Sequence, residues 1–112
     1  MKIAISANKP GMNSSVDLRF GRASYFVVVD LDSGAVNILE NADNQSAAQG
    51  AGMQTVKTIV DAGANKVITG NVGPKALAAL RTAGVQVLQV AGGSSVQDAV
   101  EQFKLGRLQV LH

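Results

Sequence analysis

The hydrophobic pattern along the chain changes period once, and that change divides the predicted fold. Up to Glu40 the apolar residues alternate or run together, as strands require. Lys2–Ala7 alternates, with Ile3 and Ile5 on one face, and reads as a first strand. Tyr25-Phe26-Val27-Val28-Val29, β-branched and aromatic throughout, predicts a second strand over Ser24–Leu31. Asp32-Ser33-Gly34 is turn chemistry, and Ala35–Glu40 returns as a third strand to close a hairpin. Beyond the polar loop Asn41–Gly50 the spacing becomes helical. Met53, Val56, Ile59 and Val60 share one helix face, with Gly63 as its stop. Lys66–Gly70 is a short apolar strand, and Pro74 suits the first turn of a helix that turns Leu77, Leu80 and Ala83 inward and ends at Gly84. Val85–Val90 follows as a strand. Ser94-Ser95-Val96-Gln97 fits a capping box, and Val96, Ala99, Val100 and Phe103 form the apolar stripe of a last helix. Leu108–Leu111 offers a further short strand, outside the regular count.

The predicted order is therefore β-β-β-α-β-α-β-α: a single α/β domain over residues 1–112, with a mixed five-stranded sheet flanked by helices. Right-handed crossovers make the fourth and fifth strands parallel to the first and third. The strand-to-helix loops Gln45–Gly52, Gly70–Pro74 and Ala91–Ser94 then open at one end of the sheet, together with Asn8–Ala23. Ligands of open α/β sheets bind beyond the carboxyl ends of the parallel strands. That end is where function is expected.

Composition narrows what could happen there. Hydrophobic residues make up 46% and charged residues 16% of the chain, an ordinary globular profile. The absence of cysteine excludes disulfides, thiolate ligands and cysteine nucleophiles. No signal-peptide pattern or membrane-length apolar run is present, so a cytoplasmic protein with no membrane partner is expected. Net charge is +2, without a basic run, and the aromatics are three Phe and one Tyr; a nucleic-acid footprint is missing.

Catalytic signatures are also missing. Neither phosphate-binding glycine motif occurs, and the lone histidine is the terminal His112, so a Ser-His-Asp triad is not expected. A non-enzymatic binding protein is the expectation, with no catalytic residues. What remains is suited to anions. Glycine pairs Gly50/Gly52, Gly70/Gly73 and Gly92/Gly93 lead the three helices, and Lys9, Arg19, Arg22 and Lys75 should lie at the same end, opposed by Asp17 and Asp43. Arg19 and Arg22 flank Phe20-Gly21, two permanent cations beside a ring and a flexible joint. Met12, in a polar loop, is a weak candidate for direct contact with a soft metal. Met53 fits a helix core face. A nucleotide- or phosphate-binding enzyme using the same helix starts is a third reading.

At Arg19-Phe20-Gly21-Arg22-Ala23, and again at Val67-Ile68-Thr69-Gly70-Asn71-Val72-Gly73, the chain resembles the accessory proteins of nitrogenase iron–molybdenum cofactor biosynthesis, small carriers of anionic metal–sulfur clusters. The resemblance spans nearly the whole chain and implies a ribonuclease-H-like fold. Carriers of this kind commonly place histidine just before the Phe-Gly step, where this chain has Arg19. In that respect it looks more like the stand-alone orange-protein type of anaerobes, which holds a sulfide-bridged molybdenum–copper cluster non-covalently. The resemblance thus implies a Mo–Cu sulfide cluster in preference to iron–molybdenum cofactor. The cofactor-binding set is expected among Lys9, Met12, Arg19, Phe20, Gly21, Arg22, Asn71, Gly73, Lys75, Gly92 and Gly93. The alternative is a cluster-free interaction or regulatory module working with assembly ATPases of the MinD-like kind. Nuclease chemistry, suggested by the ribonuclease H relationship, needs carboxylates on the central strands, and Lys2–Ala7 carries none.

Overall fold

The computed structural model describes residues 1–41 and 51–111. Its strands are β1 (Lys2–Ala7), β2 (Tyr25–Asp30), β3 (Val36–Glu40), β4 (Lys66–Thr69), β5 (Gln86–Gln89) and β6 (Gln109–Leu111); its helices are α1 (Ala51–Asp61), α2 (Pro74–Thr82) and α3 (Val96–Lys104). A single 3-10 turn covers Phe20–Arg22. The sheet order is β3-β2-β1-β4-β5-β6. Strands β4 and β5 run parallel to β1, whereas β2 is antiparallel to it and β6 antiparallel to β5.

The sheet has six strands, not the five expected. The sixth pairs Val87 with Leu111 and Gln89 with Gln109. A three-residue strand is too short to establish a period of two, so its pattern carried little signal. The chain reaches it through a tight stop: Gly106, at φ +70°, donates to the Phe103 carbonyl while the Arg107 N–H donates to Gln102 O at 3.0 Å. This is the paired bond set of a Schellman cap, which needs a residue that tolerates positive φ just past the helix.

Burial on both faces explains the apolar runs. Along β1, Ile3, Ile5 and Ala7 face the α3 side while Ala4 faces α1 and α2, because successive side chains point to opposite faces. Phe26, Val28, Val67, Val87, Ile59 and Leu80 join Ala4 in one core; Val27, Val29, Ile68, Leu88, Val96 and Val100 form the other. A fully buried side chain of this size contributes about 1.5–3 kcal/mol. The edge strand β3 departs from this pattern, with Val36 and Ile38 exposed.

Several helix details correct the sequence reading. Met53 and Val60 are 45% and 41% exposed, and the inward face of α1 is Thr55, Val56 and Ile59. Thr55 is tolerated inside because its hydroxyl donates to Asn41 Oδ1 at 3.2 Å, and Asn41 Nδ2 donates in turn to the Ala23 carbonyl at 2.8 Å. In α2 the buried residues are Ala76 and Leu80, and Ala83 is exposed. The α3 capping box does form, one residue later than expected: the Ser95 hydroxyl accepts from the Asp98 N–H, and the Asp98 carboxylate accepts from the Ser95 N–H.

Candidate functional site

Strand register gathers the loops as anticipated. Ala7 pairs with Tyr25, Tyr25 with Glu40, Thr69 with Gln89 and Gln89 with Gln109. The ends of β1, β3, β4 and β5 and the starts of β2 and β6 therefore share one end of the sheet. Asp43, Gly50 and most of the predicted Gln45–Gly52 loop lie outside the described residues.

A strap, Val16–Phe20, crosses this end from one core to the other. Val16 is buried on the α3 side and Phe20 on the α1–α2 side, where its ring meets Phe26 edge-on at 5.5 Å. Backbone bonds tie the strap to the sheet: Asp17 N–H to Ser6 O at 2.9 Å, Asn71 N–H to Leu18 O at 2.6 Å, and Phe20 N–H to Asn71 O at 3.1 Å. Leu18 lies directly on Gly70. A Cβ at Gly70 would come within 2.6 Å of Leu18 Cβ and 2.7 Å of its Cα and carbonyl oxygen. Only glycine permits that approach.

Below the strap a polar cluster sits between β1 and β4. The Ser6 hydroxyl lies 2.5 Å from the Asp17 carbonyl and 2.7 Å from the Thr69 hydroxyl. The Asp17 carboxylate, 5% exposed, accepts from the Arg19 backbone N–H at 2.9 Å and from its guanidinium Nε and Nη2, each at 3.3 Å. These bonds, and then the charge of Asp17, push the Arg19 guanidinium further above its already high ordinary value. Arg19 is thus half of an ion pair that fixes the strap, with its outer surface exposed. A fork of donors holding a buried carboxylate is what arginine geometry does well.

Beside the strap, on the α3 side, opens a cleft of about 480 Å³. Leu18, Asn71, Gln89 and Gly92 line it from the strap and the strand ends, and Gln102 and Arg107 from α3 and its exit turn. The Gln89 amide is held by the Gly70 carbonyl at 2.9 Å. No lining residue is acidic.

The structure separates the predicted site residues. Asn71 and Gly92 line the cleft; Lys9, Met12, Arg19, Phe20, Gly21, Arg22, Gly73, Lys75 and Gly93 do not. Phe20, 1% exposed, packs in the core against Phe26. Met12 is half-buried against the α3-side core, and its carbonyl accepts from the Gln97 N–H at 2.9 Å. Lys9 and Lys75 are exposed, Lys75 one residue inside the start of α2. Arg22 is exposed and follows Gly21 in the 3-10 turn. Arg107, Gln89, Gln102 and Leu18 were not singled out by the sequence. The glycine at 106, one residue past Leu105, was the available signal that a helix ended there and that Arg107 would be presented at its exit.

Among the described residues no group of three or more His, Cys, Asp or Glu is gathered to hold a metal ion. The polar side chains lining the cleft are a guanidinium and carboxamides, which suit an anion gripped from outside. No helix of the described residues is long and apolar enough to cross a membrane.

Residues 1–106 match the family described as dinitrogenase iron-molybdenum cofactor. An uncharacterized protein of Methanocaldococcus jannaschii is 29% identical over 111 residues, covering 97% of this chain and 90% of that one. Among solved structures, the apo form of the orange protein from Desulfovibrio gigas superposes with a TM-score of 0.95 at 40% identity, covering 98% of this chain and 92% of that one. A Thermotoga protein described as a putative NifB protein gives a TM-score of 0.87 at 38% identity, with the same coverages of 98% and 92%.

Proposed function

The chain belongs to the dinitrogenase iron-molybdenum cofactor family, and from that premise we propose that it is a non-enzymatic carrier or assembly scaffold for an anionic metal–sulfur cluster, held non-covalently at the loop-rich end of the sheet. A Mo–Cu sulfide cluster is the favoured cargo, ahead of iron–molybdenum cofactor. The observation that carries this reading is the donor set at that end. It offers cations and carboxamide groups at a cleft with no carboxylate among the described lining residues, and the chain contains no cysteine. A cluster whose metals are already bridged by inorganic sulfide needs no protein thiolates. It needs positive charge, hydrogen-bond donors and a partly apolar wall, and charge-assisted hydrogen bonds of about 1.5–3 kcal/mol each suffice to hold it.

Lys9, Arg19, Arg22 and Lys75 contribute the positive field of this end in the same reading. Arg19 in place of a histidine argues for electrostatic retention over side-chain coordination. The similarity to the orange protein supports the carrier role, and the antiparallel second strand of the mixed sheet fits the ribonuclease-H-like description. A cytoplasmic place of action, and a donor or acceptor among assembly ATPases, complete the proposal.

The test is reconstitution. Apo-protein titrated anaerobically with tetrathiomolybdate and copper(I) should develop a visible charge-transfer band that saturates at a fixed metal-to-protein ratio and stays with the protein through gel filtration. A protein that remains colourless, and instead binds nucleotide saturably, would replace the carrier by a nucleotide-binding function.

A further inference from the structure

We infer that the α3-side cleft is the seat of the anionic cargo and that Arg107 is its anchoring cation, an assignment that rests on the carrier reading above. Positive charges at the loop-rich end are not equivalent. Arg19 is paired with the buried Asp17 carboxylate, and Arg22 also has a partner. Arg107 has neither an ion-pair nor a side-chain hydrogen-bond partner among the described residues. The acidic side chains closest to it in sequence are engaged elsewhere: Asp98 caps α3, and Glu101 accepts from Gln97 Nε2 at 3.1 Å. Among the described residues Arg107 is thus a guanidinium without a counter-charge, in a cleft whose lining carries no carboxylate, and the site is net positive.

The backbone around Arg107 is fixed, which distinguishes it from a swinging surface charge. The Schellman cap at Gly106 pins its N–H to Gln102 O, and β6 begins two residues later. The opposite wall is equally fixed, because Leu18 sits on Gly70 and a Cβ at Gly92 would meet Leu18 Cδ1 at 3.2 Å. Asn71, Gln102 and Gln109 add carboxamide N–H donors around the opening, and Leu18 an apolar surface for sulfide faces. At about 480 Å³ the cleft falls in the usual range of small-ligand sites, roughly 300–1,000 Å³.

Four variants test the assignment in the tetrathiomolybdate–copper(I) titration, each first checked for an unchanged melting temperature. R107A should bind roughly tenfold to a hundredfold more weakly, the loss of one charge-assisted contact. R107K, which keeps the charge and loses the fork, should recover part of that loss. A91D, which places a carboxylate at an exposed position of the cleft wall, should weaken binding by about tenfold through like-charge repulsion. R81A removes the same charge from an exposed site at the far end of α2 and should bind as wild type does. In parallel, cluster addition should shift the backbone amide resonances of Asn71 and Gly92. Wild-type affinity in R107A and A91D, with the loss appearing instead in an R19A/R22A double variant, overturns the cleft assignment and leaves the carrier reading standing. A wild-type protein that takes up no cluster overturns both.

Discussion

Substituting Gly70 by alanine should loosen the strap that organises the loop-rich end. The added methyl would lie 2.6–2.7 Å from Leu18 Cβ, Cα and carbonyl oxygen, and two of those three atoms belong to the backbone. No rotamer change relieves such a contact; the strap must rise. Lifting it stretches the Asn71 N–H···O Leu18 and Phe20 N–H···O Asn71 bonds and draws Phe20 from its place beside Phe26. Overpacking alone costs about 1–3 kcal/mol, and each weakened hydrogen bond roughly 0.5–1.5 kcal/mol. These effects overlap, so a loss of about 2–4 kcal/mol is expected. For a domain of this size that is roughly 8–20 °C in melting temperature. Thermal and urea unfolding followed by circular dichroism would measure it. A Gly70→Ala protein melting within 2–3 °C of wild type (about the shift expected from an exposed substitution) would refute the close-approach reasoning.

Three further outcomes follow from the same geometry. Gly73→Ser should stabilise by about 0.5–1 kcal/mol, because this N-cap has φ −62° and ψ 155°, nothing lies within 4 Å of its Cβ position, and a serine hydroxyl can cap α2 where no side chain now does; chemical denaturation reads the gain. Asp30 accepts from the Asp32 and Ser33 N–H groups, and those bonds, with a smaller contribution from the N-terminal amine, hold its carboxyl below the ordinary 3.8. Its contribution to stability is therefore full above about pH 4 and is lost as pH falls through the lowered folded value, so Asp30→Asn should flatten the acid limb of a stability–pH profile below pH 4 and leave its slope near neutrality unchanged. Met12→Leu preserves volume against the α3-side core and should change both stability and tetrathiomolybdate–copper uptake by less than about 1.5 kcal/mol; loss of uptake in this variant would put sulfur coordination in place of electrostatic retention.

The elements were legible wherever pattern and length were sufficient. The runs at Ile3–Ala7 and Phe26–Val29, the stripe Val96, Ala99 and Val100, and the breaks at Gly63 and Gly84 all carry strong local signals, and the loop-rich end follows from them by connectivity. Met53 and Val60 misled because helical spacing says which residues share a face and not how wide the buried stripe is. Thr55, polar and buried, could not be placed inward without Asn41 to satisfy it, and Asn41 is fourteen residues away. Arg19 and Arg22 were conspicuous in sequence, yet the partners that occupy them are visible only in three dimensions. The cleft itself is assembled from the strap, the β4 and β5 ends and the α3 exit, segments up to ninety residues apart, and no local pattern encodes that meeting.

Metal analysis of the protein isolated anaerobically from its native host tests the central claim most directly, since it reports what the loop-rich end holds without any choice of reconstitution reagent. The carrier account predicts coloured protein with visible charge-transfer absorption, molybdenum and copper in a fixed ratio to the chain, and a chromophore that is released when salt or denaturant weakens the electrostatic grip. Colourless, metal-free protein from that source, which also fails to take up tetrathiomolybdate with copper, would contradict it.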